Sequence, residues 1–251
     1  MESIMSTAMS PAGHAAATHS RLNTGVLAHL EKRTLIWMAE RLPRWVTSDH
    51  LSVVGVSGMV AVGAAFAAGG TYAWALPLVV VGLAVNWFGD SLDGTLARVR
   101  RQQRPRFGYY VDHVLDIVGT AFLFAGLVLG GHVTPVLAML LLAAYFAVMA
   151  EVFLATAARG KFRMAFMGMG PTELRFVLGA GALALIRDPR VAIPGLGSFG
   201  LFDVGAAAAT AGLTIAFLAS GWRNGRALYA EEPLPVQTES PRRESPAGGF
   251  W

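Results

Sequence analysis

Six long apolar stretches constrain this chain more than any other feature. They lie near residues 50–70, 73–98, 108–130, 133–158, 171–187 and 202–223. A helix needs about 20 residues to cross the ~30 Å hydrocarbon core of a bilayer. In lipid, only helices and closed barrels satisfy their own backbone polar groups. Runs of this length favour helices, so we expect an all-α, polytopic membrane protein with six transmembrane helices. The fifth run is short, and Glu173 and Arg175 stand in its first part. Pro77 and the many glycines do not argue against spans, because membrane helices tolerate both. Small residues over 179–184 and 206–212 suit close helix packing. Composition agrees: mean hydropathy is +0.50 and 14% of residues are charged, against about 25% in soluble domains. The absence of cysteine excludes disulfides, thiolate metal sites and a thiol nucleophile.

Charge placement predicts the topology. With a cytosolic N-terminus, the inner segments are the N-terminal region, 99–107, 159–170 and the C-terminal tail. These and the adjoining helix ends carry Arg98, Arg100, Arg101, Arg104, Arg106, Arg159, Lys161, Arg163, Arg175, Arg223 and Arg226, whereas the outer side has only Arg187 and Arg190. That is a positive-inside bias. It also explains the net charge of +4 as a rim facing anionic lipid headgroups rather than nucleic acid. Over residues 25–47, apolar Leu27, Leu30, Leu35, Ile36, Trp37 and Leu42 alternate with Glu31, Lys32, Arg33, Glu40, Arg41 and Arg44 at near-helical spacing. We expect an interfacial amphipathic helix there, although a helix packed on a partner would show the same pattern. Residues 1–24 are rich in Ser, Thr and Ala, with no basic segment ahead of an apolar run. Residues 229–251 are rich in Pro, Glu, Ser and Arg. Both are expected to be disordered flanks of a membrane domain spanning 25–228.

Charge inside a span is costly, so intramembrane acids are functional hypotheses by default. Asp90 and Asp93 are three residues apart near the inner end of the second run, and Asp112 and Asp116 are four apart near the start of the third. Each spacing puts its pair on one helix face. The connection at 99–107 is short, which suggests antiparallel neighbours whose carboxylates meet just inside the cytosolic face. Four carboxylates in one pocket repel unless neutralised. Hard divalent cations with oxygen ligands do this; Mg2+ is favoured where phosphate is handled, with Mn2+ as the alternative. Two ions can clamp both oxygens of an in-line displacement at phosphorus. Gly94 leaves room for close approach, as does Gly108, and Arg98 can fork onto a diphosphate. Ala97 is small on the same face. Asn86 can line the site or join two helices, His113 can pack or support a neighbour, and Glu151 can pair with a basic residue or touch an acceptor.

The run D-S-L-D-G-T-L-A-R, a nine-residue spacer, then G-Y-Y-V-D-H-V-L-D closely resembles the signature of the CDP-alcohol phosphotransferase family. All eight signature residues are present: Asp90, Asp93, Gly94, Ala97, Arg98, Gly108, Asp112 and Asp116. The resemblance implies that Asp90, Asp93 and Asp112 ligate metal and that Asp116 shares a second ion. It also implies that Asp116 is the general base, that Gly94, Ala97, Arg98 and Gly108 line the CDP site, and that CMP leaves as an alcohol oxygen attacks the β-phosphorus. The family's habit suggests a homodimer, with membrane lipids around it and no nucleic-acid partner. It favours CDP-diacylglycerol as donor and glycerol 3-phosphate, inositol, inositol phosphate or serine as acceptor. The Asp112-His113 pair resembles that of choline and ethanolamine phosphotransferases, which keeps an amino-alcohol donor as the alternative. Lys161, Arg163 and Arg175 could read a phosphorylated acceptor or simply anchor the topology. A carboxylate-lined transporter is the rival from another class; it would string acids across the membrane depth rather than gather them at one face.

Overall fold

The computed structural model describes residues 26–159, 171–188, 190–195, 197–232 and 234. Helix α1 (Val26–Arg41) is followed by α2 (Ser48–Gly69), a 3-10 turn (Ala73–Ala75), α3 (Leu76–Val99), α4 (Pro105–Leu129), α5 (Pro135–Arg159), α6 (Pro171–Leu185), strands β1 (Arg190–Ile193) and β2 (Gly197–Gly200), and α7 (Leu201–Glu231). The helix starts are written in the sequence. Thr47 caps α2: its Oγ1 accepts from the His50 N–H at 3.3 Å, while His50 Nδ1 accepts from the Thr47 N–H at 3.2 Å, satisfying two otherwise orphan donors. Proline stands at or beside the first residue of α3, α4, α5 and α6, where a missing N–H costs nothing.

Five segments, carried by α2, α3 with its leading turn, α4, α5 and α7, are long and apolar enough to cross a membrane. The chain therefore reads as an all-α integral membrane protein. Helix α6 has 15 residues, about 22 Å at 1.5 Å per residue, and falls short of a full crossing. The expected disordered segment 1–24 and residues 235–251 of the one expected at 229–251 lie outside the described residues, and the start of the latter needs correcting, because α7 is helical to Glu231. The small hairpin is not foreseen from the sequence. Its strands have only four residues each and pair antiparallel from Arg190–Gly200 to Ile193–Gly197. Gly195 and Gly197, at φ 79° and 107°, supply the left-handed backbone that its tight turn needs.

Helix α2 is the centre of the bundle. Burying apolar surface gains little when the alternative is lipid, so helices here associate by close packing. Glycines permit it. A Cβ on Gly89 of α3 would sit 2.3 Å from the Gly55 nitrogen of α2, and one on Gly58 would sit 2.5 Å from the Asn86 nitrogen. Further along α2, a Cβ on Gly63 would fall 2.3 Å from the Phe122 carbonyl oxygen of α4, and one on Gly126 of α4 would fall 2.1 Å from the Gly63 oxygen. One side of α2 thus takes α3 and another takes α4. The expectation of close packing at 179–184 and 206–212 needs correcting in part: Gly181 meets the Phe202 ring and Ala206 is buried, but a Cβ on Gly205 or Gly212 would meet open space.

The main core joins Val62 and Phe66 of α2, Val79 and Leu83 of α3, and Leu123 and Leu127 of α4. A second cluster at the other end joins Leu35 and Ala39 of α1 to Leu51, Leu92 and Leu96. Helix α1 therefore packs one edge on α2 and α3 and leaves Trp37 exposed, with Trp45 exposed in the turn that follows. Arg100 fastens that turn: its guanidinium donates to the carbonyls of Leu42 and Pro43, both at 2.9 Å, and of Val46. It does more than bias the topology; it ties the α1–α2 connection to the end of α3.

Candidate active site

Asp90 on α3 and Asp112 and Asp116 on α4 come together: one carboxylate oxygen from each lies within 4.8 Å of the others. Asp90 and Asp112 are half-buried and Asp116 is exposed. α3 and α4 are neighbours at their aspartates, as expected, but they do not pack closely along their length. Both lean on α2, and the aspartates meet across the gap between α3 and α4. The short link fixes only the helix ends, whereas the separate glycine contacts on α2 set their spread.

Asp93 is held differently. Its Oδ2 accepts from Ser52 Oγ of α2 at 2.6 Å, its Oδ1 from the Gly94 N–H at 2.5 Å, and its backbone carbonyl from Ser48 Oγ at 2.9 Å. It faces α2 and is not among the three converging carboxylates. Ser48 and Ser52 are the residues that sequence reasoning passes over; two hydroxyls four apart at the start of an apolar helix are the signal that could have found them.

The glycine and arginine positions of the motif have these surroundings. Arg98 donates to Thr95 Oγ1 at 3.0 Å, and its guanidinium lies 3.5 Å from where a Gly94 Cβ would be. A Cβ on Gly108 would meet nothing within 4 Å. Ala97 lines a cavity of about 440 Å3 with Thr47, Ser48, Gln102, Gln103 and Arg104. Arg104 also pairs with Asp49, an exposed ion pair worth little by itself.

Arg175 of α6 brings a positive charge to the cluster. Its Nη2 donates to Asp90 Oδ2 at 2.5 Å and its Nε to Asn86 Oδ1 at 2.9 Å. Asn86 in turn donates to the Gly55 carbonyl at 3.0 Å, so it both borders the site and joins two helices. His113 is a packing residue: its Nδ1 is 2.6 Å from the Tyr109 carbonyl, and its ring meets Tyr109 and Phe153 at centroid distances of 4.3 and 5.0 Å. Tyr145 of α5 faces Thr120 and Asp116 of α4. Glu151 is on another face of α5, accepting from Asn224 of α7 at 2.6 Å. Lys161 and Arg163 lie outside the described residues.

An all-oxygen donor set at this spacing suits a hard divalent cation, and nitrogen or sulfur ligands are missing from it. The family model for CDP-alcohol phosphatidyltransferases matches residues 45–218, which takes in α2 to α6 and most of α7. No curated protein matches the chain.

Proposed function

Because the chain belongs to the CDP-alcohol phosphatidyltransferase family, a family of membrane phosphotransferases that use divalent metals, we propose that it moves a phosphatidyl group from CDP-diacylglycerol to a polar alcohol and releases CMP. The observation that carries this reading is the convergence of Asp90 of α3 with Asp112 and Asp116 of α4, all three reaching solvent at least in part. We assign Asp90, Asp93, Asp112 and Asp116 to two divalent cations, with Mg2+ favoured. Asp93 reaches its ion by turning from Ser52. When bound, the ions neutralise the diphosphate and the charge that develops on it.

The chain's own residues supply binding and proton transfer. Gly94, Ala97 and Gly108 leave room for the CDP, and Arg98 is near enough to exchange Thr95 for a diphosphate oxygen. Asp116, the most exposed of the three converging acids, takes the proton of the acceptor hydroxyl. The alcohol oxygen then bonds to the β-phosphorus, and the bond from that phosphorus to CMP breaks. We place the site at the cytosolic face, with α1 in the interface and the short α6 as a sixth span, its length deficit met by local thinning of the bilayer. Helix α6 lies between α5 and α7 in sequence and packs on α3. We expect a homodimer. The gathering of the acids at one depth favours an enzyme over a transporter.

Purified protein should release CMP from CDP-diacylglycerol in the presence of Mg2+ and one of glycerol 3-phosphate, inositol, inositol phosphate or serine. CMP release only from CDP-choline or CDP-ethanolamine, with diacylglycerol as acceptor, would shift the assignment to amino-alcohol transfer. Ion or solute flux in liposomes without CMP release would remove the enzyme reading.

A further inference from the structure

We propose that Arg175 sets the affinity of the carboxylate cluster for its divalent cation and links α6 to that binding. The inference rests on the cation-site reading above and adds a residue outside the signature. The guanidinium uses two nitrogens of its fork, on Asp90 Oδ2 and Asn86 Oδ1. The Arg175 side chain is 17% exposed and that of Asp90 30%, so the pair is only partly screened by water and interacts more strongly than a surface pair. A divalent cation binding the same carboxylate at about 2.0–2.1 Å would have to share an oxygen with the guanidinium or displace it, and would meet its like charge either way.

An orienting role would act in the opposite direction, and the packing argues against it. Asp90 directly follows Gly89, whose Cα is held against the Gly55 backbone of α2. Asn86, one turn earlier, is fixed to the Gly55 carbonyl. The stretch of α3 carrying Asp90 is thus already set by α2, and Arg175 is not needed to place it. What remains of the interaction is competition. Thermodynamic reciprocity then requires the cation to weaken the hold of α6 on α3 by the same factor. The outcome is a site that fills at a higher cation concentration than the carboxylates alone would need, and that frees a guanidinium beside the reacting phosphates when it fills.

The test is Mn2+ binding to the purified full-length protein in nanodiscs, without donor or acceptor, followed by electron paramagnetic resonance. Arg175→Gln keeps a hydrogen-bonding group near Asn86 and removes the charge. It should bind Mn2+ about tenfold more tightly, within the usual range of site–site couplings. Arg175→Lys keeps the charge and should stay near the wild-type affinity. In the wild type, Mn2+ should also speed modification of Arg175 by phenylglyoxal, read by peptide mass spectrometry; this readout needs no variant to fold. Unchanged or weaker Mn2+ binding by Arg175→Gln, or unchanged Arg175 modification, would overturn the proposal. Asp90→Asn and Asp112→Asn serve as the control for the underlying site. If neither weakens Mn2+ binding, the cation site itself is misassigned and this proposal goes with it.

Discussion

Around α2, helices touch backbone to backbone at glycines, whereas α5 and α7, which also lie side by side, are fastened at one end by side-chain hydrogen bonds. Gly55, Gly58 and Gly63 let α3 and α4 approach until no Cβ would fit between. At the inner ends of α5 and α7, the connection is polar: Asn224 donates to Glu151 at 2.6 Å, and Arg159 donates to Asn224 Oδ1 at 2.8 Å and to Glu231 at 3.1 Å. Most of α7 is exposed, including Ile215, Leu218 and Trp222. The difference follows the chemistry. The metal ligands proposed on α3 and α4 must be held to a fraction of an ångström, and backbone contact provides that. A helix that mainly faces lipid has no such need, and hydrogen bonds through long side chains can hold it while allowing some movement.

The contrast predicts unequal responses to substitution. Gly63→Leu should be the most damaging, because the new side chain would enter the Phe122 backbone and overpack the α2–α4 contact by about 3 kcal/mol or more. Loss of folded protein in a detergent-stability assay would report it, and a fully stable variant would break the distinction drawn between the two regions. Asn224→Ala should cost about 0.6–1.7 kcal/mol, the range for hydrogen bonds between membrane helices, and should leave the fold intact; collapse of the protein would mean that the polar pair carries more than assigned. The smallest effect is expected at the end of α3. Arg101 has φ 57°, and the Arg101 and Gln102 N–H groups donate to the Arg98 and Ala97 carbonyls at 3.1 and 2.9 Å. This is a Schellman ending with arginine where glycine is usual. Arg101→Gly should therefore stabilise the protein by up to about 1 kcal/mol, seen as a higher melting temperature; a lower one would show that the arginine side chain compensates for its backbone.

Much of this arrangement is legible in the sequence because bilayer thickness sets helix length and the acid spacing sets helix faces. Five of the six expected spans emerge, four with ends shifted by no more than three residues and α7 running eight residues past its expected end, and Asp90, Asp112 and Asp116 meet as their spacing implies. The separation of α3 from α4 is not legible, because a short link says where two helices begin to diverge and not which third helix each prefers. The glycines of α2 settle that, but their pattern does not tell which neighbour each one meets. The turn of Asp93 toward Ser52 depends on a hydroxyl 41 positions away. The pairing of Arg175 with Asp90 spans 85 positions, and a basic residue near a membrane face offers no sign that it will reach inward. The hairpin at 190–200 is too short for its alternation to register.

The most direct test of the central claim, that carboxylates from α3 and α4 hold metal and drive the release of CMP, is the rate of CMP production from CDP-diacylglycerol by the wild type and Asp116→Asn, each with Mg2+ and with excess chelator. The account predicts wild-type activity that vanishes with chelator and returns with Mg2+, and a loss of at least about a hundredfold in Asp116→Asn, the lower end of what general-base catalysis contributes. Undiminished CMP release in the chelator, or wild-type turnover in Asp116→Asn, would contradict it.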